Sequence, residues 1–124
     1  MTTTIIDDIN SKIHRLKKAF KSFETKFHKQ QMIYKKEKSK SEVEKVLVIW
    51  KVFMEFISNK TYLSSTTKEI EKFNNNKKII SSLKEFDKNI YSPNKNILKL
   101  KDINNLFSEA KHNFNVKLKN IKNG

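Results

Sequence analysis

The only glycine in the chain is its last residue, Gly124, and the only proline is Pro93. Phosphate-cradling loops, dinucleotide-binding turns and nucleophile elbows all use glycine's freedom at positive φ. Residues 1–123 therefore offer none of these devices. An all-β fold needs turn residues every few positions, so this poverty argues against one as well. Helices joined by short polar turns remain. A length of 124 residues is one domain's worth. A chain of this size buries roughly two thirds of its unfolded surface, enough for a single core. With no cysteine, a disulfide framework and every thiolate metal site are excluded.

Apolar periodicity predicts four helical segments. In the first, approximately 4–37, apolar residues fall at Ile6, Ile9, Ile13, Leu16, Phe20, Phe23, Phe27 and Tyr34, with Gln30 in one slot. The spacing alternates three and four, which is a heptad seam. Thr4 and Asp7 resemble a capping box, and Asp7 and Asp8 suit the positive end of the helix dipole. The second segment, 42–59, opens with a cap at Ser41 and Glu44 and carries the seam Val43, Val46, Trp50, Phe53 and Ile57. Leu47, Val48, Ile49, Val52, Met54 and Phe56 make it apolar nearly all round, the mark of a central helix. The third, 66–91, has a capping box at Thr66 and Glu69 and ends before Pro93. Its register shifts at Asn74–Asn76, three poor helix formers, so a kink or break is expected there. The fourth, 96–122 or starting at Asp102, runs through Leu100, Ile103, Phe107, Ala110, Phe114 and Ile121, and Lys117 interrupts its stripe.

Together these predict an all-α fold: one domain, 1–124, an antiparallel bundle of about four helices with a long N-terminal helix. The first helix is nearly twice as long as the second, so about 15 residues should overhang it. Phe20, Phe23, Phe27 and Tyr34 lie on or near that overhang. They form an apolar patch for a protein partner unless the later segments cover them.

The residues for chemistry are sparse. Glu109-Ala110-Lys111-His112 matches one Glu-x-x-His unit of di-iron bundles, which require that unit twice and two further inward glutamates. His14 and His28 follow Ser11 and Thr25 at that spacing, so the second unit is missing. The carboxylate pairs Asp7/Asp8, Glu42/Glu44, Glu69/Glu71 and Glu85/Asp87 sit one or two residues apart. Two residues apart on a helix, side chains diverge by about 200°. No nucleophile–base–orienter set is visible. The expectation is a non-enzymatic protein with no cofactor, no metal and no small-molecule substrate.

Charge is the strongest functional signal. There are 27 basic and 13 acidic residues, a formal charge of +14, and Arg15 is the one arginine. Lys, Asn and Ile abound and share AT-rich codons, so an AT-rich genome explains part of the lysine. Such a bias replaces arginine by lysine but does not remove acids. Residues 41–65 are neutral, and the excess sits at the two ends of the chain. With Ile6 and Ile13 at heptad position a, the outer positions of the first helix carry His14, Arg15, Lys18, Lys21, His28, Lys29, Lys35 and Lys36. After the first turn this stripe holds no acid over about 30 Å. Lys95, Lys99, Lys111 and Lys119 can add to it. Such a ridge suits a phosphate backbone and its counterions. Without interleaved aromatics, and with one arginine, neither base stacking nor guanine reading is expected.

The first expectation is therefore a polyanion-binding accessory protein whose partner is nucleic acid or a ribonucleoprotein. The second is a protein-interaction module (an inhibitor, immunity protein, effector or complex subunit) with a protein partner or self-association through the aromatic face or the second helix. An anionic membrane surface is a third partner for the same charge. The N-terminus lacks the basic and apolar regions of a secretory signal, and the longest unbroken apolar run is Val46–Trp50. An intracellular, soluble protein is expected, with signal-independent export left open.

Overall fold

The computed structural model describes residues 2–93 and 98–123. Five helices follow in order: α1 (Thr2–Glu37), α2 (Lys40–Ser58), α3 (Thr67–Ile70), α4 (Lys77–Tyr91) and α5 (Leu100–Asn123). No strand occurs among the described residues. α1 packs on α2 and α5, α4 packs on the same two helices from the other side, and α2 and α5 meet across the middle. Two contacts set the directions. The Leu98 backbone N–H donates to the Tyr34 hydroxyl at 3.1 Å, joining the end of α1 to the start of α5. The Lys117 ammonium donates to the Ile57 carbonyl at 3.0 Å, joining the end of α2 to the later part of α5. The result is the all-α antiparallel bundle that the periodicity predicts.

Without internal glycine, the chain closes two helices on residues that pay for a left-handed backbone. Lys38 follows α1 at φ 49°, and Asn59 follows α2 at φ 57°. Each donates its N–H back into the last turn, to the Tyr34 and Glu55 carbonyls at 2.8 and 3.0 Å. Asparagine tolerates this region better than most residues, whereas a lysine Cβ crowds the following carbonyl. Lys38→Gly is expected to raise stability by about 1 kcal/mol, and Lys38→Val to lower it, as read by urea denaturation.

Local signals explain the other ends. Thr66 and Glu69 form the capping box expected of them. The Asn74–Asn76 segment is a true break. The Asn74 side chain accepts from the Asn76 N–H at 3.0 Å, and the Asn76 side chain then caps α4 through the N–H groups of Lys78 and Ile79. α4 stops at Tyr91, and Ser92 is extended, as the residue before Pro93 should be. α2 starts earlier than expected, capped by Ser39 rather than Ser41. α1 is already helical at Thr2, ahead of the expected start at Thr4. The alternative start of the last helix at Asn96 lies outside the described residues, and α5 begins at Leu100.

Glu42, whose backbone N–H donates to the Ser39 hydroxyl at 3.3 Å, has its side chain engaged across the helices. Gln30 fills the polar slot of the α1 seam, is buried, and donates its side-chain amide to both the backbone carbonyl and the carboxylate of Glu42. The Lys45 ammonium reaches the other carboxylate oxygen at 3.1 Å. These donors hold Glu42 below the ordinary value of 4.5, the Gln30 bond contributing most. A carboxyl depressed by folding stabilises above its unfolded value and loses that contribution as pH falls through its folded one. Glu69, held low by the Thr66 backbone and hydroxyl, has the same sign. Melting temperature is therefore expected to fall on acidification below pH 4.5. Glu42→Gln should flatten that fall, and thermal melts of both proteins across the acid range check it.

The core joins all the layers. Trp50, Phe27, Phe86, Met54, Ile70, Leu83, Ile103 and Leu106 are fully buried, and the Trp50 ring meets the Tyr62 ring edge-on at 5.4 Å. Lys117, the interruption in the last apolar stripe, is half-buried because its ammonium satisfies a carbonyl in the last turn of α2.

Candidate nucleic-acid interface

The seam of α1 faces α2 and α5, so its outer heptad positions face away from the bundle. His14, Arg15, Lys18, Lys21, His28, Lys29, Lys35 and Lys36 are all exposed. His14 to Lys36 spans about 33 Å, close to one turn of B-form duplex at ~34 Å. The bases form two groups, His14 to Lys29 and Lys35–Lys36, separated by an exposed Met32.

Two lysines join this face beyond those expected. A shallow depression beside the helix is lined by His14, Lys17, Lys18, Lys21, Ser22, Thr25 and Lys26. Lys17 and Lys26 occupy the e and g positions that flank the seam. A bundle can cover either flank or leave it open, so their exposure depends on where α2 and α5 lie. With them, basic residues cover about half of the circumference of α1. Glu24, the one acid within the stretch, is half-buried at the edge.

None of these bases forms an ion pair among the described residues. Among the described residues there are two ion pairs, Lys45–Glu42 and Lys88–Glu85, and neither involves α1. Lysines elsewhere are put to structural use: the Lys51 ammonium donates to the Ser65 carbonyl at 3.0 Å, Lys40 reaches the Ser92 carbonyl, and Lys117 serves α2. Burial holds the Lys51 ammonium below its ordinary value. His28 differs from its neighbours. Its ring stacks on Phe107 of α5 at 4.8 Å, so it also anchors α1 to α5. Of the supplementary lysines, Lys99, Lys111 and Lys119 are exposed, while Lys95 lies outside the described residues.

The aromatic face expected as an alternative protein interface is interior. Phe23, Phe27 and Tyr34 are buried and Phe20 is partly so. Phe20 stacks on Phe114 at 4.4 Å, Phe23 stacks on Phe53 at 4.6 Å, and Phe27 lies 5.7 Å from Phe107. The cause is the length and direction of α5, which runs back along α1 and covers what α2 cannot. The overhang is instead the N-terminal end of α1, where Ile5 and Ile6 are exposed. A different apolar surface is open: Val48, Val52 and Phe56 on the outer side of α2, 42%, 50% and 51% exposed.

Two of the remaining acidic residues hold elements of the fold together. The Glu109 carboxylate accepts from the side-chain amides of Asn74 and Asn76 at 3.1 and 3.3 Å, tying the break before α4 to α5. Asp87 accepts from the Thr67 hydroxyl at 2.6 Å. No group of three or more His, Asp or Glu among the described residues is placed to hold a metal ion. No helix described is long and apolar enough to cross a membrane. Comparison with protein-family models, curated proteins and solved structures finds no match.

Proposed function

We propose that the protein is a non-enzymatic accessory factor that binds nucleic acid, free or within a ribonucleoprotein, by largely sequence-independent neutralisation of phosphates along the outer face of α1. One observation carries this reading. The exposed bases from His14 to Lys36 have no acidic partner among the described residues. A rigid row of lysines and an arginine without acidic partners attracts a polyanion and gains from the counterions that the polyanion releases.

Nucleic acid is favoured over a membrane surface because a helix lying on lipid needs an apolar face to insert. The apolar face of α1 is in the core, and its outward face offers only Met32 within the basic stretch. Arg15 is the one arginine in the row, which favours point-charge contact by lysine over bidentate base reading.

The proposal is tested by gel filtration of the expressed protein from lysate in low and in high salt. Co-elution with nuclease-sensitive material in low salt, and release as free protein in high salt, is the expected result. Elution free of nucleic acid even in low salt contradicts it.

A further inference from the structure

We propose that the partner nucleic acid is a duplex, held across one of its grooves with α1 against one phosphate backbone and α5 against the other, an inference that rests on the phosphate-binding role of α1 proposed above. α5 divides its charges by face. Its two acids turn towards α4 and the break before it. Asp102 is buried and accepts from the Ser82 hydroxyl at 2.9 Å, and the Glu109 carboxylate is held by the Asn74 and Asn76 amides. Its bases Lys101, Lys111, Lys119 and Lys122 are exposed, and none forms an ion pair among the described residues. Lys111 is one turn beyond Phe107 and Lys122 two turns beyond Phe114. Both rings pack on α1, so these two lysines line the edge of α5 beside it.

Two ring contacts fix the register of the antiparallel pair, Phe20 on Phe114 at 4.4 Å and His28 on Phe107 at 4.8 Å. Lys122 and Lys119 then stand level with Lys12 and Arg15, and Lys101 with Tyr34 and Lys35 near the end of α1. Glu24, half-buried and level with Lys111, is the one acid between Lys12 and Lys36. Two rows of bases therefore run side by side for about 30 Å, on axes about 8–10 Å apart. The backbones of B-form DNA flank grooves about 6 and 12 Å wide, a separation of the same order. A duplex is stiff, with a persistence length of about 150 base pairs, so it stays straight over this length. Its strands spiral away from a straight helix, so α1 alone meets few phosphates of either strand. A second row collects phosphates on the other side of the groove. A single strand is flexible and follows α1 alone, where the bases are densest, so it gains little from α5.

The test compares the full-length protein with its triple variant Lys111→Glu, Lys119→Glu and Lys122→Glu. The probes are a DNA duplex of about 30 base pairs and an oligothymidylate of about 30 nucleotides, both longer than the two rows. Fluorescence anisotropy is read near 0.1 M salt, where exposed charges still act over about 10 Å. The α5 variant is expected to lose about tenfold or more in duplex affinity, with a log–log salt slope lowered by about one for each phosphate released, and to change single-strand affinity by no more than about threefold. Its three positions are exposed, so it should fold, and its thermal melt verifies that. Reversal of Lys18, Lys21 and Lys29 should weaken both probes, whereas reversal of the exposed Lys72, Lys77 and Lys84 around the start of α4 should cost the duplex far less than the α5 variant does. A duplex loss in the α5 variant no larger than that of the α4 control, or equal losses on the two probes, overturns the second row and leaves α1 as the binding face. Wild-type protein that binds neither probe, or an α1 variant that binds both as well as wild type, removes the role of α1 itself and the duplex reading with it.

Discussion

Phe27→Ala is expected to destabilise the protein by about 3–5 kcal/mol, a large part of the roughly 5–15 kcal/mol that holds a domain folded. Phe27 is fully buried, and its ring lies 5.3 Å from Phe23 and 5.7 Å from Phe107. Truncation strips packing from both sides and leaves a cavity between α1 and α5, where long helices have little freedom to close it. Phe56→Ala removes the same ring from a site 51% exposed, so its cost should stay within about 1 kcal/mol. Urea denaturation followed by circular dichroism measures both. Equal, small effects would mean that the aromatic face of α1 is a surface rather than a core.

Reversing Lys18, Lys21 and Lys29 together to glutamate is expected to weaken binding to a duplex by about a hundredfold or more near 0.1 M salt, and to lower the log–log salt slope by about one for each phosphate no longer neutralised. All three are exposed and none forms an ion pair among the described residues, so the folded state should keep its stability within about 0.5 kcal/mol. Location is the discriminating variable. Lys72→Glu, Lys77→Glu and Lys84→Glu change the net charge by the same amount at exposed positions around the start of α4. They should cost far less affinity if α1 is the binding face. Equal losses from the two triple variants would make binding a property of net charge alone and not of a face.

From Leu16 to Tyr34 the periodicity of α1 already encoded which residues turn inward, whereas the seam residue Ile6, on the overhanging first turns, is exposed. The chain breaks at Thr66, at Asn74–Asn76 and before Pro93 were legible because each rests on backbone chemistry within a few residues. What was not legible depended on partners distant in the chain. Ser39 and Ser41 both precede a glutamate at capping distance, so the sequence does not choose between them, and the Gln30–Glu42 hydrogen bonds join residues on two helices. The fate of Phe20, Phe23 and Phe27 turned on how far α5 runs back along α1. Lys117 read as a flaw in an apolar stripe until Ile57, sixty residues earlier, supplied its acceptor. In the candidate interface the eight outward bases followed from the heptad, whereas Lys17 and Lys26 sit on flanks whose exposure only the packed bundle decides. The open line Val48–Val52–Phe56 was hidden in a helix apolar nearly all round, where sequence does not mark which side stays uncovered.

The most direct measurement is the salt dependence of binding between the nuclease-treated protein and labelled single- and double-stranded DNA and RNA of about 30 nucleotides, a length chosen to exceed the span of α1. A steep linear fall of log affinity with log salt is the predicted result, with affinity at physiological salt clearly tighter than the non-specific range of about 10⁻⁴–10⁻⁶ M and little dependence on sequence. Binding that vanishes at physiological salt would contradict the account and leave the lysines of α1 as solvated surface.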